Sequence, residues 1–363
     1  MNDYKYTISK INRYKFYKNI SERVFLDSQK TAVDFNNLDL EALAKTIRSF
    51  EGVSRKKPIT QIAEIFESVS EMYNGCVVDF GDDAAAIDIG GGDVILLAAD
   101  GIWGRLIEKS PWWAGFTSVL ANVNDIVAMG GKPLAMVDVV SSSQSGEFSE
   151  IFRGMAEGVK KFGVPVVGGH THPEGAASLS VAIIGIAKKE ELIRSDTAKP
   201  GDIVIFAVDL DGRTGPNSPY SFESLSLKSP AVVRKMYEAP QILGKKRLVT
   251  AGKDISNPGL IGTLGMLVET SGVGAIVDLT KLPMPNIDLS IDRWLLMHPG
   301  TGFVFTAKKE NADAVIHILK EAGIFAAAAG EIMEIRTLEI TAKNKSAVVF
   351  DFEKDKITGI CKK

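Results

Sequence analysis

The stretch from Gly81 to Asp100, GDDAAAIDIGGGDVILLAAD, constrains this chain more than any other. Two apolar runs, Ala84 to Ile89 and Val94 to Ala99, flank Gly90, Gly91, Gly92 and Asp93. Glycine tolerates positive φ, so such a cluster between strand-like runs predicts a hairpin. With those four residues as the turn, Ile89 faces Val94, and the register carried outward sets Asp83 opposite Asp100. Like charges opposite one another on a ladder repel, their Cα atoms being only ~4.5–5.5 Å apart. A divalent cation, a shared proton or a different register would relieve the repulsion, and so would solvation of both carboxylates at fraying strand ends. Two carboxylates beside a glycine-lined opening suit Mg2+, which takes one or two such ligands and leaves the rest to water and substrate phosphates.

A second anomaly follows. Ser110 and Pro111 form a strong helix start, and Gly130 with Gly131 ends the helix, with Phe116, Leu120, Val123 and Val127 as its buried stripe. Asp125 falls near the last turn, where the macrodipole disfavours an anion by ~0.3–1 kcal/mol. Asn122 and Asn124 beside it are poor helix formers. Three unfavourable residues so close together point to a cation site, or to an ordinary frayed helix end.

The remaining chain alternates strands and helices. Leu40 to Phe50 and Ile59 to Met72 carry apolar residues at helical spacing, the second through Ile62, Ile65, Phe66 and Val69. Between them Arg55, Lys56 and Lys57 form a solvated basic loop or a phosphate clamp. Leu134 to Val140, Ala177 to Ala187 and Ile203 to Asp209 read as strands, and Phe148 to Phe162 as an amphipathic helix. DGRTGPNSPYSFES, from Asp211 to Ser224, is rich in glycine, proline and serine and predicts a mobile flap. KDISNPGLIGTLG places a glycine-rich turn before a helix, where free N–H groups could meet a phosphate.

At 363 residues the chain has room for two ordinary domains. A net charge of −3 leaves no electrostatic footprint for nucleic acid, so an acidic substrate requires a local basic patch or a metal. Two widely separated cysteines, Cys76 and Cys361, argue against a disulfide framework, and no apolar run has the length of a membrane span. These features predict a cytoplasmic protein. Its first ~35 residues are polar, basic and tyrosine-rich, an appendage rather than a core element.

There is no P-loop and no GxGxxG fingerprint, so a nucleotide would be held by carboxylate-bound metal and backbone glycines. The rival chemistry lies in VPVVGGHTHPEG. Alternate residues of a strand share a face, so His170 and His172 could hold Zn2+ or Fe2+ with aspartates, as in a transition-metal hydrolase.

GDDAAAID, LLAADG, ANVNDIVAMGGKP, VPVVGGHTH, AKPGD and SGVGAIVDL together resemble, in order and spacing, the AIR synthase-related superfamily. That superfamily includes aminoimidazole ribonucleotide synthase, thiamine-monophosphate kinase, selenophosphate synthetase and the hydrogenase-maturation dehydratase. GVSRKKPI, ADGIWG, the PWWAG helix start and KDISNPGLIGTLG are most similar to the methanogenesis marker 2 type. The resemblance implies a two-domain α/β (α+β) fold: an arm over 1–38, an ATP-binding domain over 39–188 and an α/β sandwich over 189–363. It implies a homodimer that pairs its N-terminal sheets into a β-barrel, and Mg2+ and ATP as cofactors. The family's magnesium carboxylates fall on Asp83, Asp100 and Asp125, and the phosphate glycines on Gly168 and Gly169. Arg194 matches a basic residue before the second domain. His170 stands where thiamine-monophosphate kinase has an aspartate, and Asn257 replaces another. The expected activity is therefore transfer of the ATP phosphoryl group to an unidentified small-molecule acceptor. His170, Arg194 and Lys56 are the expected catalytic groups, and Asn124, Asn257 and Arg55 further nucleotide contacts. The changes at His170 and Asn257 keep open a non-catalytic nucleotide-binding regulatory or assembly protein.

Overall fold

In the computed structural model, which describes residues 33–361, the glycine hairpin forms as β2 (Ala85–Gly90) and β3 (Asp93–Gly101), preceded by the short β1 (Cys76–Val78). Gly90, Gly91 and Gly92 all have positive φ, at 84°, 67° and 80°. Gly90 pairs with Asp93, so Gly91 and Gly92 are the central turn residues, both left-handed as a hairpin twist demands. The register differs from the expected one by a residue: Asp88, not Ile89, faces Val94, and the ladder is irregular at Ile89. Asp83 therefore precedes the strand and does not oppose Asp100 on a ladder.

The chain adds β4 (Lys132–Ser141), β5 (Val166–His172) and β6 (Ser178–Lys188), giving a six-stranded sheet in the order β1-β2-β3-β6-β4-β5. Before the sheet lie α1 (Leu40–Ser49), α2 (Glu51–Ser54) and α3 (Pro58–Glu67). Within it lie α4 (Gly104–Lys109), α5 (Pro111–Ala128) and α6 (Ser145–Phe162). Helices α5 and α6 cross in backbone contact. A Cβ on Gly115 would lie 2.0 Å from the Ile151 carbonyl oxygen, and one on Gly154 would lie 1.8 Å from that of Trp112. They cover one face, burying Leu96, Val140, Val181 and Ile183 against Phe116, Val119 and Val123. The other face is open and largely apolar, with Ile87, Leu97, Val137 and Val139 all exposed.

The second sheet holds β7 (Ile203–Val208), β10 (Ala251–Asp254), β11 (Gly274–Asp278), β13 (Gly302–Ala307), β14 (Phe325–Met333), β15 (Thr337–Ala342) and β16 (Lys345–Asp351). Its order is β10-β13-β7-β14-β11-β15-β16. Period-two alternation sorts its core. Val204 and Phe206 face α8 (Gly259–Ser271), while Ile205 and Ala207 face α7 (Pro230–Lys245) and α10 (Ala312–Glu321). That second core is continuous with the core of the first sheet through Phe303, Phe305 and α5.

Several expectations change. Helix α1 packs its Leu40, Leu43 and Ile47 into the core of the second sheet, together with α9 (Ile291–Leu296). The arm lies outside the described residues up to 32, and Val33, Phe35 and Leu38 rest on that same core. Helix α3 ends at Glu67, and its apolar stripe at Ile62, Ile65 and Phe66 is exposed rather than buried. The expected flap is folded: β8 (Arg213–Thr214) and β9 (Ser221–Glu223) pair with each other, β9 also pairs with β12 (His298–Pro299), and Phe222 is fully buried.

Candidate functional site

Where the two domains meet, three acidic side chains from separate segments converge. Asp83 precedes β2, Asp125 sits in α5 and Asp254 ends β10; one carboxylate oxygen from each lies within 4.8 Å of the others. Among the described residues this is the group of three or more potential ligands within reach of one ion. The Asp254 N–H donates to Asp83 Oδ2 at 3.0 Å, and the buried Lys253 ammonium is ion-paired to Asp83 Oδ1. Asp82 accepts from the Ser195 N–H at 2.8 Å, which ties the inter-domain connector to the same turn.

Burial, and then mutual repulsion, sets the electrostatics. Burial pushes Asp125 well above the carboxylate range, and Asp100, Asp254 and Asp83 add to the shift. Burial does the same to Asp254, with Asp83 adding and Lys253 opposing. Asp82 is pushed up to about 6, chiefly by burial against the opposing field of Lys253. Asp100 is raised by burial and held back first by Lys56. Burial would lower the Lys253 ammonium, but Asp83, Asp82 and Asp254 outweigh it and raise it. Carboxyl groups whose ionisation is disfavoured by burial and by one another gain from a hard divalent cation such as Mg2+, which takes oxygen ligands.

Of the residues singled out in the sequence, the fold brings Asp83 and Asp125 together and sets Asp100 and Lys56 within their field. Arg194 enters the neighbourhood by its charge on Asp82, but its guanidinium is held bidentately by Asp196, Nε–Oδ1 2.8 Å and Nη2–Oδ2 2.5 Å. Arg55 pairs with Glu51 and lies 4.7 Å over the Trp103 ring, docking its loop just beyond β3. Asn124 is used structurally: it accepts from Tyr237 Oη at 2.6 Å and donates to the Gly300 carbonyl at 3.2 Å. Asn257 is exposed at the turn before α8. Its carbonyl abuts Gly52, where a Cβ would lie only 2.0 Å away, so the basic loop is seated against the DISNP turn.

The histidines are not part of the carboxylate group, and with the glycine pair they lie on the edge strand β5. Gly169 pairs with Asp138 and makes room for its side chain, a Cβ there lying 2.7 Å from the carboxyl carbon. Gly168 pairs with Val137. His170 pairs with the exposed Val139, so it stands with His172 on the open face of the sheet, ring centroids 4.3 Å apart. No aspartate completes a three-ligand set with them among the described residues.

Three groups emerge that the sequence reading passed over: Asp254, Lys253 and Asp82. The available signal was AGKD, a short strand with two adjacent charges before a glycine-rich turn. All four of its residues are buried, which charged residues tolerate only with partners.

Known proteins of the same build give this arrangement its context. An uncharacterized protein of Methanocaldococcus jannaschii is 46% identical over 324 residues, covering 89% of this chain and all of that one. Thermotoga maritima PurL complexed with ATP shares the fold at TM-score 0.67 and 18% identity, over 80% of this chain and about half (48%) of its own. Thiamine-monophosphate kinase from Stenotrophomonas maltophilia does so at TM-score 0.57 and 20% identity, over 78% of this chain and 96% of its own. The sequence pattern of the AIR synthase related protein N-terminal domain matches residues 81–187, which contain Asp83, Asp100 and Asp125, and that of the C-terminal domain matches residues 199–343, which contain Asp254. With both domains matched in order and the carboxylates divided between them, the chain belongs to the AIR synthase related protein family.

Proposed function

We propose that the protein is an enzyme that binds ATP with Mg2+ at Asp83, Asp125 and Asp254 and passes the phosphoryl group to an oxygen of a small-molecule acceptor. The observation that carries this is the convergence of three carboxylates from remote segments within 4.8 Å at the domain junction. Bound Mg2+ would supply neutralisation of phosphate charge. The chain's own residues do the rest: Asp83, Asp125 and Asp254 position the cation, and Asp100 adds charge at its edge. Lys56 supplies positive potential for a triphosphate entering from the basic loop. The Gly259 N–H donates to the Ser256 carbonyl at 2.9 Å, and the N–H groups that follow it at the start of α8, which have no side-chain cap, offer donors to an anion. Arg194 would act on a phosphate only after release from Asp196.

The open apolar face around Leu97, Val137 and Val139 supports a homodimer paired through the N-terminal sheets. Gly168, Gly169 and His170 would lie at that pairing. Within one protomer His170 stands on the open sheet face, outside the three-carboxylate group. That separation favours, as the second reading, a nucleotide-binding assembly or regulatory protein without turnover. A free-thiol pair, Cys76 and Cys361, and the lack of any described helix long and apolar enough to cross a membrane agree with a cytoplasmic site of action.

Calorimetry with ATP in Mg2+ and in EDTA tests the binding claim. Saturable, Mg2+-dependent binding that is abolished in Asp83→Asn and in Asp125→Asn is expected; wild-type affinity in both variants would remove its basis. Phosphate release across candidate acceptors then separates the enzyme from the pure binder.

A further inference from the structure

We propose that Lys253 is a phosphate-binding residue held in reserve: without nucleotide its ammonium occupies the cation's place on Asp83, and on loading it passes to the phosphate that arrives with the metal. The inference rests on the assignment of the carboxylate cluster as the Mg2+–nucleotide site.

Lys253 is the third residue of β10, whose four residues are all buried, and it pairs with Val304 on the neighbouring β13. Its backbone is therefore fixed. The side chain is 3% exposed, as is that of its partner Asp83. Lys253 takes one oxygen of Asp83 and the Asp254 N–H takes the other, so both oxygens of a ligand of the proposed metal already accept a hydrogen bond before any metal arrives. A divalent ion that binds alone would contest Asp83 with an ammonium that is tethered to a rigid strand and has no route to water. Moved off Asp83, the ammonium would keep only the fields of Asp82 and Asp254, and a buried ammonium without a contact anion is disfavoured. A metal that brings a phosphate supplies a replacement anion next to the displaced head group, within reach of the flexible four-carbon stem. The site should therefore prefer the metal–phosphate complex to the metal alone. Lysine is a strong point-charge ligand for phosphate, and no P-loop lysine is present to fill that role.

The test compares two probes by calorimetry on the full chain: Mg2+ alone, and Mg2+ with a non-hydrolysable ATP analogue. Lys253→Met removes the competitor and the phosphate ligand together. Mg2+ alone should then bind about tenfold tighter, and the Mg2+–analogue complex about tenfold weaker, than in wild type. Lys253→Gln, which keeps a donor to Asp83 without the charge, carries the same expectation if the Met variant does not fold. A purely structural lysine would move both affinities in one direction, and that outcome, or no change in either, overturns the proposal. Failure of the underlying site looks different: Asp125→Asn would bind both probes as wild type does.

Discussion

Asp125→Asn offers a prediction whose sign is unusual for a buried position. The substitution keeps the shape of the side chain and removes its charge from among Asp83, Asp254 and Asp100. At an effective dielectric constant of ~20, two unit charges 4.8 Å apart repel by ~3.5 kcal/mol. Lys253 offsets Asp83, which leaves Asp100 and Asp254 as the neighbours that chiefly repel Asp125. Because burial and the neighbouring carboxylates raise the Asp125 pKa, protonation relieves part of that repulsion, and the cost realised in the metal-free protein is smaller, about 2 kcal/mol. In EDTA the variant should therefore be more stable than wild type, melting about 3 °C higher. Added Mg2+ with nucleotide should raise the wild-type midpoint and leave the variant nearly unmoved. Differential scanning fluorimetry reads both. A variant less stable than wild type in EDTA, with an undiminished shift on adding Mg2+ and nucleotide, would refute the argument that Asp125 is a strained metal ligand.

Other consequences are open to measurement. The Asp82 carboxyl titrates at about 6 in the folded protein, above its ordinary value of 3.8, so the folded state holds a proton that the unfolded chain has released. Its stability contribution is present below about pH 4 and lost as pH rises through about 6, by roughly 3 kcal/mol at most, and metal-free melting curves should fall across that window. Glu269 accepts from the N–H groups of Ile357 (2.9 Å), Thr358 (2.8 Å) and Gly359 (3.2 Å) and from the Thr358 hydroxyl (2.8 Å), pinning the C-terminal segment; Glu269→Ala should cost about 3–5 kcal/mol in urea unfolding. Gly52→Ala drives a Cβ into the Asn257 carbonyl and should weaken nucleotide binding more than it weakens Mg2+ binding, because it displaces the loop carrying Lys56. Val139→Lys on the open sheet face should convert a dimer to monomers by sedimentation; an unchanged mass would place the subunit contact elsewhere.

The parts of this fold that could be read along the chain are those with a local cause. The glycine turn, the Ser110–Pro111 helix start and the Gly130–Gly131 stop all lie where their residue types demand. Asp125 could be read because it is locally unfavourable in its helix, whereas Asp83 was reached through a cross-strand pairing with Asp100 that the fold does not make. The hairpin register was missed by one residue because the irregularity at Ile89 belongs to the ladder rather than to the turn composition. The stripe on α3 obeyed helical periodicity yet faces outward, since periodicity tells which residues share a face but not what covers it. Lys253 and Asp254 were illegible for the opposite reason. Their chemistry exists only when β10 is brought against the turn at Asp83, a contact between residues 170 positions apart. Asp196, which holds Arg194, is two positions away in sequence, but the fork it forms depends on how the connector turns.

Crystals grown with Mn2+ and a non-hydrolysable ATP analogue test the central claim most directly, because manganese reports its own position through anomalous scattering. The account predicts a peak bonded to Asp83, Asp125 and Asp254, with the triphosphate on its open side and Lys253 turned from Asp83 to a phosphate oxygen. A peak bound elsewhere, or an analogue seated away from these carboxylates with the Lys253–Asp83 pair intact, would contradict it.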